Sequence, residues 1–192
     1  MKVLVACEFS GRVRNAFRVL KHDAWSCDFF ASEDETYHIR GDVRSLLTER
    51  WDLVIAHPPC TYLCNSGVRW LKSSNRDRWE CLNKAVEFFK QCLDANSPRV
   101  VVENPIPHKY ALKGIGRRYD QIIHPWQYGH AESKGTCLWL KGLPLLEPTN
   151  VVEVRQQRVF RMPPMPNLKG MRERLRSITY EGIAKAMAEQ WG

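Results

Sequence analysis

A chain of 192 residues with 44% hydrophobic residues is long enough to bury roughly two thirds of its unfolded surface in one core, so a single domain over 1–192 is expected. No stretch approaches the roughly 18 uninterrupted apolar residues of a membrane span, which excludes an integral helical membrane protein. Twenty-nine Lys and Arg against 21 Asp and Glu give a formal net charge of +8, weighted toward the C-terminal quarter, which favours a phosphate-bearing polymer as partner over a mononucleotide.

In chain order, KVLVA (Lys2–Ala6) reads as a strand buried on both faces. A turn at Gly11 leads into a first helix, RVRNAFRVL, and AWSCDF forms a second strand. WDLVIA and RVVVEN (Arg99–Asn104) are two further strands. Between them Trp79, Leu82, Ala85, Val86, Phe89 and Leu93 recur at helical spacing, so RWECLNKAVEFFKQCLDA is a crossover helix. TCLWL (Thr136–Leu140) adds a strand and TYEGIAKAMAEQW a closing helix. The alternation predicts an α/β fold with a mostly parallel sheet and helices on both faces. Residues 145–175 form a basic, loop-rich segment in which Arg155, Arg158 and Arg161 are candidates for phosphate contact, although a solvated face accounts for them equally well. Trp126 and Trp139 are expected in the core, and His130 lies in a loop near Lys134. The opening MKVLVACEFSG lacks the long apolar run of a secretion signal, and the seven irregularly spaced cysteines suit free thiols in a reducing cytoplasm.

Ligands of open α/β sheets sit beyond the carboxyl ends of the strands, where CEFSGR, CDF, GDV, HPPC and ENP all fall. Cys60 has three readings. It packs as a free thiol, it ligates a metal with His57 and Cys64, for which a further tetrahedral ligand is missing, or it is a nucleophile with Glu103 at the next strand end as its acid/base partner. The diproline before it stiffens the turn, since Pro fixes φ and restrains its predecessor.

Pro58-Pro59-Cys60 followed by a strand ending Glu103-Asn104 resembles the signature of the cytosine carbon-5 DNA methyltransferases. EFSGRVRNAF is similar to that family's Phe-x-Gly-x-Gly cofactor loop, with Phe9 and Gly11 in place, and CTYLCNSG keeps its Ser66-Gly67 pair. YGHAESKGTCLWLKG resembles its Tyr-Gly-Val-Pro-Gln-x-Arg-x-Arg stretch. The likeness covers about residues 3 to 142 and returns weakly in the last helix. It implies a Rossmann-like, S-adenosylmethionine-dependent fold, with the cofactor held by Phe9, Gly11, Asp28 at the ribose, Asp42 at the adenine, and Pro58. It further implies Cys60 as nucleophile, Glu103 as acid at the ring nitrogen N3, and Asn104, Ser66 and Lys134 on the substrate. For that role Glu103 is expected to have a pKa raised by desolvation.

Val13 replaces the second loop glycine, Pro105 a valine, and Glu132, Lys134 and Thr136 the Gln and two Arg of the later stretch. Only about fifty residues follow TCLWL, too few for a target-recognition domain, as in small methyltransferase-like proteins of phages and prophages that would work in the bacterial cytoplasm. Duplex DNA, single-stranded DNA, a free pyrimidine nucleotide, or a protein partner that supplies recognition all remain open. Two other readings are a DNA-binding protein without methylation activity and transfer of a different group. HPPC also resembles the Asp/Asn/Ser-Pro-Pro-aromatic turn of exocyclic-amino methyltransferases, whose roles His57 and Cys60 fit poorly.

Overall fold

Seven strands form one sheet in the computed structural model, which describes residues 1–71, 76–163 and 170–192. They are β1 (Lys2–Ala6), β2 (Asp23–Asp28), β3 (His38–Arg40), β4 (Leu53–Ala56), β5 (Val100–Pro105), β6 (Gln121–Ile123) and β7 (Thr136–Lys141), in the order β3-β2-β1-β4-β5-β7-β6. The first five pair in parallel, and β7 runs antiparallel to both β5 and β6. The described helices are α1 (Arg12–Val19), α2 (Arg44–Thr48), α3 (Arg76–Leu93), α4 (Lys109–Ile115), α5 (Arg158–Arg161), α6 (Met171–Ser177) and α7 (Glu181–Trp191). None is long and apolar enough to cross a membrane.

The period-2 alternation of strand side chains divides the core between two faces. Leu4, Ala6, Val54, Val100, Val102 and Trp139 point into one layer with Phe89 of α3, while Val3, Val5, Leu53, Ile55, Val101 and Leu138 point into the other with Phe17 of α1 and Met187 and Trp191 of α7. Phe89 meets Trp139 edge to face, with ring centroids 4.8 Å apart, a favoured aromatic geometry. Every residue of β4 is fully buried, which is why that strand reads as an unbroken apolar run.

The long elements of the sequence reading are present, with shifted ends. The strand in WDLVIA begins at Leu53, because the Trp51 indole turns back to donate to the Leu46 carbonyl at 2.8 Å. The crossover helix starts at Arg76 and stops at Leu93. Strand β3 was implied only by the placing of GDV at a strand end, and strand β6 and helices α2 and α4 were not anticipated, since such short segments carry too few residues to show a period. Part of the 145–175 segment is helical, as α5 and the start of α6, and its residues 164–169 lie outside the described residues.

The sheet order reverses between β1 and β4, which pair side by side although two strands separate them in sequence. That switch point opens a crevice at the carboxyl ends of β1 and β4, where Glu8–Gly11 and His57–Cys60 leave the sheet.

Candidate active site

The turn after β4 is fixed from several sides. The His57 amide donates to the Ala6 carbonyl at 2.9 Å, extending the β1–β4 ladder by one bond. Pro58 and Pro59 have no N–H to give, and the Pro58 carbonyl instead accepts from the side-chain amide of buried Asn104 at 3.0 Å. The Cys60 carbonyl then accepts from the amides of Leu63 and Cys64, both at 3.0 Å, closing a tight turn around the thiol. His108 clamps the far side, its backbone donating to Leu63 and its Nε2 to the Tyr62 carbonyl. The Cys64 Sγ lies 3.0 Å from the hydroxyl of exposed Ser66. Cys60 is therefore held by the backbone of its own turn, with Asn104 bracing the diproline.

β4 and β5 pair with Ala56 opposite Val102, which sets His57 level with Glu103. The His57 Nδ1 donates to Glu103 Oε2 at 2.7 Å, and the two side chains are only 10% and 15% exposed. Burial raises the carboxyl of Glu103, but the His57 hydrogen bond, the His57 charge and the charge of Lys134 outweigh it and hold the pKa below the ordinary carboxylate value. The expectation of a raised pKa at Glu103 is thus overturned, because a cationic partner sits where only apolar burial was foreseen. Burial works against the charged imidazole of His57, yet the Glu103 hydrogen bond and the charges of Glu103 and Glu8 leave its pKa raised. Sequence reasoning passed over His57 in this role. The available signal was a histidine one residue beyond a strand whose parallel neighbour ends in a glutamate.

Cys60 is half-buried, and its pKa is raised by its hydrogen bond with Cys64, then by burial and the charges of Cys64 and Glu103, with Lys134 opposing them. The Lys134 ammonium donates to the Arg176 carbonyl at 3.1 Å, and its charge acts on Cys60, His57 and Glu103 together.

On the other side of the crevice Gly11 takes a left-handed conformation, φ +68°, and a side chain there would collide with the guanidinium of Arg14. Arg14 is fully buried and donates to the Ser26 hydroxyl and the Asp34 carbonyl, each at 3.0 Å. Val13, in place of a second glycine, turns into the core instead of lining the loop. The carboxylate of Glu8 accepts from the amides of Val13 at 2.7 Å and Arg14 at 3.2 Å. These first-turn donors are the groups a phosphate would need at a helix N-terminus, and here the buried carboxylate of Glu8 occupies them.

Asp28 ends β2 and Asp42 follows β3; burial and both of their charges push the Cys27 thiol up to about 11. Each carboxylate is anchored by a nearby amide, Phe30 for Asp28 and Arg44 for Asp42. Phe9 meets Phe30 edge to face at 6.3 Å, and the Arg174 guanidinium of α6 lies over both rings at 4.8 and 4.7 Å. This edge of the sheet thus carries two carboxylates, Asp28 and Asp42, and an aromatic pair whose rings lie under the Arg174 guanidinium. Glu8, Arg14 and Arg174 were not singled out from sequence.

Arg155, Arg158 and Arg161 come together, lining with Ser133, Gln156 and Gln157 an open groove of about 940 Å³. Ser133 donates from its backbone and its hydroxyl to the Gln156 carbonyl, at 2.9 and 3.0 Å, which joins the groove to the loop bearing Lys134. Trp126 is not a core residue as expected. It is half-buried, stacks on His124 with centroids 5.8 Å apart, and carries the Arg155 guanidinium 4.0 Å from its ring. His130 is committed elsewhere, accepting the Gly182 amide at 2.9 Å and packing on Tyr180. Buried Glu132 accepts the amides of Ser133 and Val159, tying this loop to α5.

Among solved structures similar to this chain is a protein described as a DNA modification methyltransferase encoded within a prophage (E. coli), with a TM-score of 0.50 and 15% identity over 84% of this chain. The fold is that of a methyltransferase. Also similar are the methyltransferase EhMeth of Entamoeba histolytica (TM-score 0.44, 14% identity, 81% of this chain) and the Dnmt2 methyltransferase of S. pombe (TM-score 0.43, 14% identity, 83% of this chain). The chain spans 55%, 56% and 53% of the length of these three proteins. No protein-family model and no curated protein matches it. In this methyltransferase fold the crevice of Glu8, Gly11, Asp28 and Asp42 lies on the β1 side of the switch point, and the Cys60, His57 and Glu103 cluster lies on the β4–β5 side.

Proposed function

We propose that the chain transfers a methyl group to carbon 5 of cytosine in DNA, with Cys60 as nucleophile and Glu103 as the acid at N3. One observation carries this reading: a turn-locked thiol and a buried, hydrogen-bonded carboxyl leave adjacent parallel strands of a methyltransferase fold, under the charge of one lysine.

Carbon 5 of cytosine is a weak nucleophile, and covalent addition makes it a strong one. As the Cys60 sulfur bonds to carbon 6 its thiol proton leaves to solvent, and the C5=C6 electron pair moves through carbon 4 to N3, which takes a proton from Glu103. Carbon 5 then accepts the methyl, its own proton departs to a base, and elimination frees the sulfur while N3 returns its proton. Lys134 is the local charge that favours the thiolate. Asn104 supports the reaction by holding the Pro58 carbonyl, and Ser66 borders the entrance beside Cys64.

S-adenosylmethionine, when bound, supplies an electrophilic methyl on its sulfonium. Phe9, Gly11, Asp28, Asp42 and Pro58 would hold it, with Glu8 facing its positive charge. The groove of Arg155, Arg158 and Arg161 is the surface for DNA phosphates, duplex or single-stranded. A flipped base costs a few kcal/mol in a duplex, so a single-stranded target or a recognition partner suits a domain whose 145–175 segment stands in for a recognition domain. Such a protein would act in the cytoplasm of a bacterial host.

Mass-spectrometric nucleoside analysis tests this after incubation with S-adenosylmethionine and, separately, duplex DNA, single-stranded DNA and deoxycytidine monophosphate. The expected outcome is 5-methylcytosine in a DNA arm and none with Cys60→Ser. Activity retained by Cys60→Ser would refute the nucleophile, because an alcohol does not add usefully to carbon 6. The raised pKa of Cys60 favours a second reading, DNA binding without methylation, in which wild type gives no product yet is retained by DNA.

A further inference from the structure

We propose that His57 is the proton reservoir for Glu103: it holds the proton that the carboxyl delivers to the substrate ring nitrogen and takes back when the product leaves. The proposal rests on the reading of Cys60 and Glu103 given above.

The geometry is that of a relay with one open end. His57 Nδ1 is 2.7 Å from Glu103 Oε2, both side chains are nearly enclosed, and the other imidazole nitrogen, Nε2, is buried with no hydrogen-bond partner among the described residues. Three charged groups face the ring: Glu103 from β5, Glu8 from the end of β1, and Lys134 from the loop before β7. The two carboxylates favour the imidazolium and Lys134 opposes it. Glu8 cannot relieve Nε2 cheaply, because its oxygens already serve the amides of Val13 and Arg14 and the hydroxyl of Ser10.

The charged imidazole is therefore stabilised at Nδ1 and left unsatisfied at Nε2, where a buried donor without an acceptor is costly. That combination biases the pair toward holding the proton without locking it there. In the addition step the Nδ1–H bond of His57 breaks, one N–H bond forms at N3, and Glu103 carries the proton between them, ionised before and after. His57 ends neutral, and the reverse transfer accompanies elimination. Glu103, held below its ordinary pKa, would otherwise be an unprotonated carboxylate at neutral pH with nothing to donate. His57 acts through Glu103 and is a positioning residue.

The test combines kinetics with a direct titration. Asparagine keeps an N–H donor near the place of Nδ1 but cannot carry a proton. In single-turnover methylation followed across pH, wild type should lose activity on an alkaline limb above 6.5, the ordinary imidazole value. His57→Asn should move that limb down by about one pH unit or more, a tenfold loss at a pH on the limb, with activity recovered toward acid. In parallel, the ¹⁵N shifts of the His57 ring should titrate above 6.5 in wild type and at lower pH in Glu103→Gln. An unmoved alkaline limb in His57→Asn, or a wild-type ring titrating at or below 6.5, would overturn the proposal. Product formation with an unmoved limb removes only the role of His57. Absence of product at every pH removes the reading of Cys60 and Glu103, and this proposal with it.

Discussion

Lys134 stands where its charge reaches Cys60, His57 and Glu103 at once. Its effect on the thiol is the most accessible to measurement. Replacing it by methionine keeps the apolar stem and removes the charge, so the Cys60 pKa should rise further and the thiolate fraction fall about tenfold for each unit. Iodoacetamide alkylation of Cys60, quantified by peptide mass spectrometry at pH 8, should be slower in Lys134→Met by about that factor; an equal rate would show that the lysine does not act on the thiol. Individual residues also show where sequence was informative. That Cys60 and Glu103 lie near each other was readable, because Pro-Pro-Cys and Glu-Asn are local patterns at the ends of two recognisable strands. The contact of His57 with Glu103 arises from a register between two strands, and that of Glu8 with Val13 from its capping of a helix turn, neither of which is encoded in local composition. The direction of the Glu103 pKa failed for the same reason, since its partner was not in view.

At the scale of elements, the loop between β6 and β7 and the start of α7 are joined at one backbone position. The Gly182 amide donates to His130 Nε2, and a side chain at Gly182 would press directly on the carbonyl of Tyr128. Gly182→Ala should therefore force a backbone shift that costs about 1–3 kcal/mol, lowering the melting temperature by roughly 3–10 °C for a chain of this size. An unchanged melting curve would mean that α7 docks more loosely than this contact requires. The elements that sequence revealed are those with long signals: β1, β4 and β5 as apolar runs, α3 as a sustained helical period, and α7 as the closing amphipathic segment. The edge strands β3 and β6 have three residues each, and their pairing is decided by neighbours across the sheet. Trp126 was misplaced for a related reason. An aromatic residue beside a strand reads as core, whereas here His124 and Arg155 pack against its ring.

Over the whole molecule, the candidate side chains gather at one edge because the sheet reverses between β1 and β4, and the positive charge of the C-terminal quarter contributes a groove beside Lys134. The fold class was legible because alternating apolar runs and helical periods admit few architectures, while the groove depends on tertiary contacts such as that of Ser133 with Gln156. The central claim is a covalent bond between Cys60 and carbon 6 of cytosine. It is tested most directly by incubating the protein with S-adenosylmethionine and an oligonucleotide carrying 5-fluorocytosine, in single-stranded and duplex form. Fluorine at carbon 5 cannot leave as a cation, so an adduct that has accepted its methyl cannot eliminate. The expected result is a protein whose intact mass increases by one methylated oligonucleotide, with the modified peptide mapping to Cys60 and no adduct in Cys60→Ser. Methylation of ordinary DNA without a trapped species, or an adduct mapping to another residue, would contradict it.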